Sequence, residues 1–397
     1  MKDRVIVIIG LIGLLTGLTC CSDDDDDRRQ PEPVAVKLSA YTAPYTDIEL
    51  MSRETRAGEW YPSDYKPYGQ LSNTKDLIKS NMGSPIGIYF TQDGNEPLVR
   101  RFRPTANDND WLMEDSVAPG DYYIYGYVPY SGAEVANSEI APFNNSYANG
   151  AVLTLRGINT VLSQDLCVVV GAKHGVKTGD NPPVPVTTTV QPGDFASQFK
   201  ANANYLYLLF DHLYAALRFQ FRVGEKYAAL RTIKVRTLEL SAYQDADCTI
   251  PMKKVSTVVT LRTNTTGDSP IIGDIEFSTD GNSVDADTAV ICDRDTVPVT
   301  LTTDWSDCLG FAPKMAYYFV LRTTYDVYDN NRTTEHPDGN LIRQKCVADN
   351  KLNLHTLFSQ TTMKRGHMYT IKLTIEPTYL YMLSEPDLDN PTIKIGS

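Results

Sequence analysis

Leu217-Arg218-Phe219-Gln220-Phe221-Arg222-Val223 alternates apolar with charged or amide side chains without a break. In an extended chain, neighbouring side chains point to opposite faces. Leu217, Phe219, Phe221 and Val223 therefore form an apolar row, and Arg218, Gln220 and Arg222 a solvated one. This is the pattern of a strand with one face on a core. It recurs near the C-terminus, where Tyr369, Ile371, Leu373 and Ile375 alternate with Thr370, Lys372 and Thr374. Working outward, strand-like segments appear at Val34–Tyr41, Ile86–Thr91, Tyr122–Val128, Val152–Leu155, Leu166–Val170 and Leu206–Phe210. Others follow at Ile233–Leu240, Val255–Leu261, Ala316–Thr324 and Cys346–Ala348, with turn signals such as Asp93-Gly94, Asp280-Gly281 and Pro337-Asp338-Gly339 between segments. Helix-like periodicity is confined to Asn73–Ser80 and Leu352–Gln360. Many short strands with few helices predict an all-β fold of sandwich or barrel type. The stretch Gly175–Gln198 is rich in Pro, Gly, Thr and Val, lacks sustained alternation, and divides the chain near residue 200. The domains expected are 57–200 and 201–377, with 34–56 ahead of them as a first strand and propeptide and 378–397 behind as a tail.

The N-terminus reads as an export signal. Lys2 and Arg4 precede an apolar run from Val5 to Leu18. The run is shorter than the ~20 residues a membrane span needs, and it suits the apolar region of a secretory signal. Leu18-Thr19-Cys20-Cys21 follows and matches a bacterial lipobox, in which the thiol takes a diacylglycerol before cleavage in front of it. Cys21 has Leu18 at the third position before it, whereas Cys20 would have Gly17, so Cys21 is the expected lipid site and 1–20 the signal peptide. The alternative is an ordinary secretory signal ending near Thr19. Residues 21–33, with Asp23 to Asp27, form an acidic tether.

Composition excludes some functions. A net charge of -12 leaves no basic stripe of the kind that phosphate backbones require, so nucleic acid is not an expected partner. Beyond the lipid site the cysteines are Cys167, Cys248, Cys292, Cys308 and Cys346, an odd number without C-x-x-C spacing. Cys167 reads as a small buried hydrophobe. The histidines are scattered, with neither H-E-x-x-H nor G-x-S-x-G, and His212 in Phe210-Asp211-His212-Leu213 reads as a satisfied core histidine. No catalytic residue, metal site or cofactor is expected, and the protein is not expected to be an enzyme. Asp285-Ala286-Asp287 and Asp293-Arg294-Asp295 lack the ligand order of a calcium loop. In the run Tyr122–Tyr130, Tyr123, Tyr125 and Tyr127 share a strand face. An exposed row of rings would stack on sugars, but a half-wet sheet face with buried rings is the commoner use of tyrosine.

Several segments together resemble the Bacteroidetes fimbrillin family of pilus subunits and their accessory proteins. They are Thr55-Arg56-Ala57 with Trp60, Ile86-Gly87-Ile88-Tyr89, Tyr122–Tyr130, Leu208–Phe221 and Gly366–Ile375. A long insertion between Trp60 and Ile86 departs from the family pattern. The resemblance implies two tandem β-sandwich domains of transthyretin-like topology, a surface lipoprotein of the outer membrane, and assembly with other fimbrial subunits by strand exchange. It also implies that an Arg-specific protease removes the N-terminal segment. Arg56, in the family's motif, is the first candidate for the cut and Arg53 the second. The strand that leaves would carry Val36 and Leu38 inward as a placeholder. The incoming donor would be the tail, with Tyr379, Tyr381, Leu383, Ile393 and Ile395. The alternatives are a first strand that never leaves, making the chain a permanently lipid-anchored fimbrial anchor or a glycan-binding surface lipoprotein, and a tail that is an intramolecular edge strand or a disordered end. Ser116, Thr288 and Thr296 stand in Asp-Ser/Thr-apolar tripeptides similar to Bacteroides O-glycosylation sites and qualify only if exposed. Host or bacterial surface ligands complete the expected partners.

Overall fold

The computed structural model describes residues 33–47, 65–68, 84–105, 110–130, 135, 137–176, 184–185, 189–199, 204–263, 271–279, 283–358, 363–378 and 387–396. Cys20, Cys21, Arg53, Arg56, Tyr379, Tyr381, Leu383 and the window Asn73–Ser80 lie outside the described residues.

In chain order the strands are β1 (Lys37–Thr42), β2 (Thr46–Asp47), β3 (Lys66–Pro67), β4 (Ile86–Thr91), β5 (Leu98–Pro104), β6 (Trp111–Met113), β7 (Gly120–Val128) and β8 (Asn137–Pro142). They continue as β9 (Gly150–Ile158), β10 (Cys167–Val176), β11 (Val184–Pro185), β12 (Ala196–Phe199), β13 (Tyr205–His212), β14 (Ala215–Val223), β15 (Arg231–Tyr243) and β16 (Val255–Arg262). The last are β17 (Ile272–Ser278), β18 (Ala289–Asp293), β19 (Val299–Thr300), β20 (Ser306–Ala312), β21 (Tyr318–Asp329), β22 (Leu341–Asn353), β23 (His367–Thr378) and β24 (Asp387–Gly396). Two short α-helices, α1 (Glu225–Ala228) and α2 (Leu354–Phe358), and a 3-10 turn at Phe143–Asn145 complete the described elements. The fold is all-β.

The strands make two cores, each between two sheets. A ten-stranded sheet runs β11-β10-β13-β1-β6-β5-β4-β7-β12, with β3 beside β1. It curls until β7 meets β10 again at Cys167↔Val128 and Val168↔Tyr127. The path β10-β13-β1-β6-β5-β4-β7 thus closes on itself, which removes the free edges an open sheet would present. A four-stranded sheet, β17-β16-β9-β8, contributes Leu153, Leu155, Val259 and Leu261 to the same core. The close approach of β4 to β7 depends on Gly126, where a Cβ would lie 2.3 Å from the Gly87 carbonyl oxygen.

The second core lies between two five-stranded sheets, one holding β2, β23, β14, β20 and β24, the other β18, β15, β21, β22 and β19. Here the apolar row of β14 is fully inside, with Leu217, Phe219 and Phe221 at 0% exposure. Its polar row pairs instead: Arg218 and Gln220 both donate to Asp307 on β20. Arg236 of β15 is held by a two-pronged contact with the buried carboxylate of Asp326.

The passage from the first core to the second falls at Leu213–Ala215, beyond the division read at residue 200. β13 lies in the ten-stranded sheet beside β1 and β10, while β14 lies between β20 and β23. The hairpin β16–β17 then returns to the first core, pairing with β9. Alternation marks these segments as strands but carries no information on which sheet receives them.

Candidate functional site

The N-terminal segment 33–47 ties the two cores together. From Val34 to Leu38 burial alternates strictly, with Val34, Val36 and Leu38 inside and Ala35 and Lys37 exposed. This is the face assignment read from sequence for Val36 and Leu38, both at 0% exposure in the first core. β1 runs parallel to β13 from Lys37↔Tyr205 to Thr42↔Phe210. Its other side meets β6 at Leu38↔Trp111 and β3 at Tyr41↔Pro67. Val34 exchanges both backbone hydrogen bonds with Val117, and Ser39 shares a hydrogen bond of 2.6 Å with the Tyr205 hydroxyl. β1 is therefore an interior strand of the closed path. Without it, β13 and β6 would each present an unpaired edge over an apolar groove.

Past β1 the segment crosses a buried polar cluster. Ala43 N–H donates to the Phe210 carbonyl, and the Ala43 carbonyl contacts His212 Nε2 at 2.7 Å. Tyr45 stacks on the His212 ring at 3.7 Å between centroids and donates its hydroxyl to Asp165 Oδ1 at 2.7 Å. Asp165 Oδ2 and Cys167 Sγ both approach His212 Nδ1, at 2.9 and 3.4 Å. Thr46 then pairs with His367 on β23, inside the second set of sheets. Asp165, Cys167 and His212 are each at 0% exposure.

The electrostatics follow from burial and this geometry. Burial opposes a charged imidazole, but the Asp165 carboxylate, seconded by Asp211, outweighs it and holds the His212 pKa above the ordinary histidine value. Burial first, and Asp165 second, push the Cys167 thiol and the Tyr45 phenol well above their usual values. His212 is thus a fully partnered core histidine, as its apolar neighbourhood suggests. The cluster is not an acid-base-nucleophile triad. In a triad the nucleophile and the acid sit on opposite ring nitrogens, whereas here sulfur and carboxylate share Nδ1 and a backbone carbonyl occupies Nε2.

Sequence reading assigned no role to Tyr45 or Asp165. The signal available for Asp165 was its Asp-x-Cys spacing, which puts two polar atoms on one side of an extended chain. Cys167 and His212 are also direct cross-strand partners between β10 and β13.

The other sites read from sequence are dispersed. Ile393 and Ile395 sit on β24, which pairs antiparallel with β23 of the same chain at Ile375↔Ile393 and Leu373↔Ile395. Both are half-buried against the second core. Thr288 and Thr296 are exposed and Ser116 is half-buried. Asp287 pairs with Lys254 and Asp295 with Arg236. An exposed row of Tyr123, Tyr125 and Tyr127 does not form. Tyr125 and Tyr127 are at 0% and 1% exposure, because β7 is covered on both faces. Tyr125 stacks on Phe195 and donates to the Tyr147 carbonyl, and Tyr127 donates to Ser138 Oγ. The sugar-stacking platform is therefore overturned. Cys167, Cys248, Cys292, Cys308 and Cys346 are all free. Among the described residues no helix is long and apolar enough to cross a membrane.

No family model matches the chain, and no curated protein matches it. Among solved structures, it is similar to a candidate cell adhesion protein from Bacteroides fragilis at 12% identity and a TM-score of 0.36, covering 92% of this chain and 97% of that one. It is similar to a fimbrial protein from Bacteroides vulgatus at 11% identity and a TM-score of 0.28, covering 91% and 98%. A fimbrial protein from Bacteroides ovatus aligns at 10% identity and a TM-score of 0.29, over 86% of this chain and 49% of that one. Likeness at this level decides nothing about activity or partners.

Proposed function

We propose that the chain is a non-enzymatic structural or adhesive subunit of a cell-surface fimbria, exported as an outer-membrane lipoprotein with its lipid on Cys21. In this reading an Arg-specific protease cuts at Arg56 or Arg53. The segment carrying β1 leaves, and a strand from another subunit, the same chain or a different one, takes the vacancy. The observation that carries the reading is the position of β1. It is an interior strand of a closed sheet, yet it precedes the polar stretch 52–58, where one cut would separate it from the strands it pairs with. Completing the sheet replaces the apolar contacts of Val36, Leu38 and Ala40, worth about 1.5–3 kcal/mol for each large side chain, and the ladder hydrogen bonds at about 0.5–1.5 kcal/mol each. Polymerisation is then completion of a fold. In the donor role the tail, with Tyr379, Tyr381, Leu383, Ile393 and Ile395, leaves β23 for the neighbour. N-terminal sequencing of the subunit taken from the cell surface tests this. A start at Ala57 or Glu54 supports it, and a lipidated Cys21 terminus on assembled protein refutes it.

A second reading has its own observation. Residues 33–47 are held in both sets of sheets through the Tyr45–His212 stack, and β24 already occupies the edge of β23. This favours a permanently lipid-anchored subunit, a fimbrial anchor or surface-binding lipoprotein, in which the first strand never leaves.

A further inference from the structure

We propose that Asp165, Cys167 and His212 form a binding site for one divalent cation of the Zn²⁺ class, closed by Ala43 and Tyr45 of the N-terminal segment. The donor atoms of the three side chains lie within 4.8 Å of one another and are all buried. The separations at His212 Nδ1 are 2.9 Å to Asp165 Oδ2 and 3.4 Å to Cys167 Sγ. Bonds of about 2.0–2.3 Å at tetrahedral angles place donor atoms roughly 3.3–3.6 Å apart, so a small adjustment of the Asp165 carboxylate completes the triangle.

The orientation of the imidazole is the stronger argument. Its Nε2 faces the Ala43 carbonyl at 2.7 Å, an acceptor, and must therefore carry a hydrogen. Nδ1 then faces a carboxylate oxygen at 2.9 Å and a sulfur at 3.4 Å, so three different donors are directed at one point. The Asp165 carboxylate acts on both the ring and the Cys167 thiol. Convergence of nitrogen, oxygen and sulfur on one point is the donor set that suits Zn²⁺ rather than Mg²⁺ or Ca²⁺. The outer contacts also fit. A ligating histidine usually gives its second N–H to a carbonyl, and a ligating carboxylate is itself hydrogen-bonded. Here Ala43 does the first and the Tyr45 hydroxyl, 2.7 Å from Asp165 Oδ1, does the second. A dication there would be met by a thiolate, a carboxylate and a neutral ring, the forms in which these side chains ligate a metal. Because Tyr45 lies over His212, the ion enters before residues 43–47 dock and is then trapped beneath them. In the assembly reading residues 43–47 leave with β1, so the site belongs to the uncut chain, and the metal test uses that chain.

The test refolds the full chain with Zn²⁺ or Co²⁺ alone, removes excess by gel filtration, and measures metal content and the Co²⁺ spectrum. One retained equivalent with a sulfur-to-cobalt charge-transfer band is expected. Cys167→Ser, which leaves the His212–Asp165 pair intact, should abolish the charge-transfer band, and Tyr45→Phe should weaken binding about 10–100-fold. Absence of retained metal, or a charge-transfer band unchanged in Cys167→Ser, overturns the proposal. Should Cys167→Ser fail to fold, X-ray absorption of the Zn²⁺-loaded wild type decides: one sulfur among nitrogen and oxygen neighbours supports it, and none overturns it.

Discussion

Tyr45 lies flat against His212, with ring centroids 3.7 Å apart and planes 22° from parallel. The stack joins the two sets of sheets, because Tyr45 comes from the segment between β1 and β2 while His212 ends β13 just before the chain passes to the second core. The first turn away from β1 is thus pinned by an aromatic contact and by the Tyr45 hydrogen bond to Asp165.

Removing only that hydroxyl should loosen the segment. Tyr45→Phe keeps the stack and leaves Asp165 Oδ1 without its donor, at a cost of about 1.5–3 kcal/mol, the range for hydrogen bonds to charged groups. Urea denaturation measures the loss. An unchanged midpoint and slope would show that the Tyr45–Asp165 contact contributes nothing.

Within β1 the two faces should respond differently. Leu38→Ala removes a fully buried side chain and should cost about 2–5 kcal/mol. The exposed neighbour Lys37, changed to Ala, should stay within about 0.5 kcal/mol of the parent. Equal effects in thermal or urea unfolding would contradict the alternation of burial along the segment.

Gly126→Ala should be among the costliest single-methyl additions. The new Cβ would stand 2.3 Å from the Gly87 carbonyl oxygen and 2.8 Å from Ile88 Cδ1. β4 and β7 must separate, at about 1–3 kcal/mol by the usual scale of overpacking. A neutral result in calorimetry would mean that the sheet gives way freely there.

Acid should destabilise the fold through its loops. Hydrogen bonds from Asn340 hold the Asp329 carboxyl below its usual range, those from Ile250 and Thr249 do so for Asp245, and that from Ser146 for Asp93. A carboxyl lowered in the folded state stabilises it above the unfolded value and loses that contribution as pH falls through the folded one. The unfolding temperature should therefore fall as the pH drops below about 4. Asp329→Ala should start lower at pH 7 and lose less on acidification; a drop equal to the wild type's would remove Asp329 from the explanation.

Strands whose two faces meet different surroundings were legible. The β14 row emerges from alternation alone, as does the inward direction of Val36 and Leu38. β20 was not, because Ser306–Ala312 is buried at every position and shows no period. β5, Leu98-Val99-Arg100-Arg101-Phe102-Arg103-Pro104, was missed because one buried phenylalanine among three arginines gives no apolar row. The polar cluster was hidden for a different reason. His212 and Cys167 meet only through the pairing of β10 with β13, and each alone reads as core. Sheet membership is set by pairing between distant segments, so neither the return of β16–β17 to the first core nor the closure of β7 on β10 was visible in local pattern.

The placeholder role of β1 is tested most directly by digesting the purified full chain with an Arg-specific protease and following it by native mass spectrometry. The account expects a cut after Arg56 or Arg53, loss of the segment carrying β1, and a ladder of oligomers in which a neighbour's strand fills the vacancy. A chain that stays monomeric after the cut, with residues 33–47 still seated between β13 and β6, would contradict it.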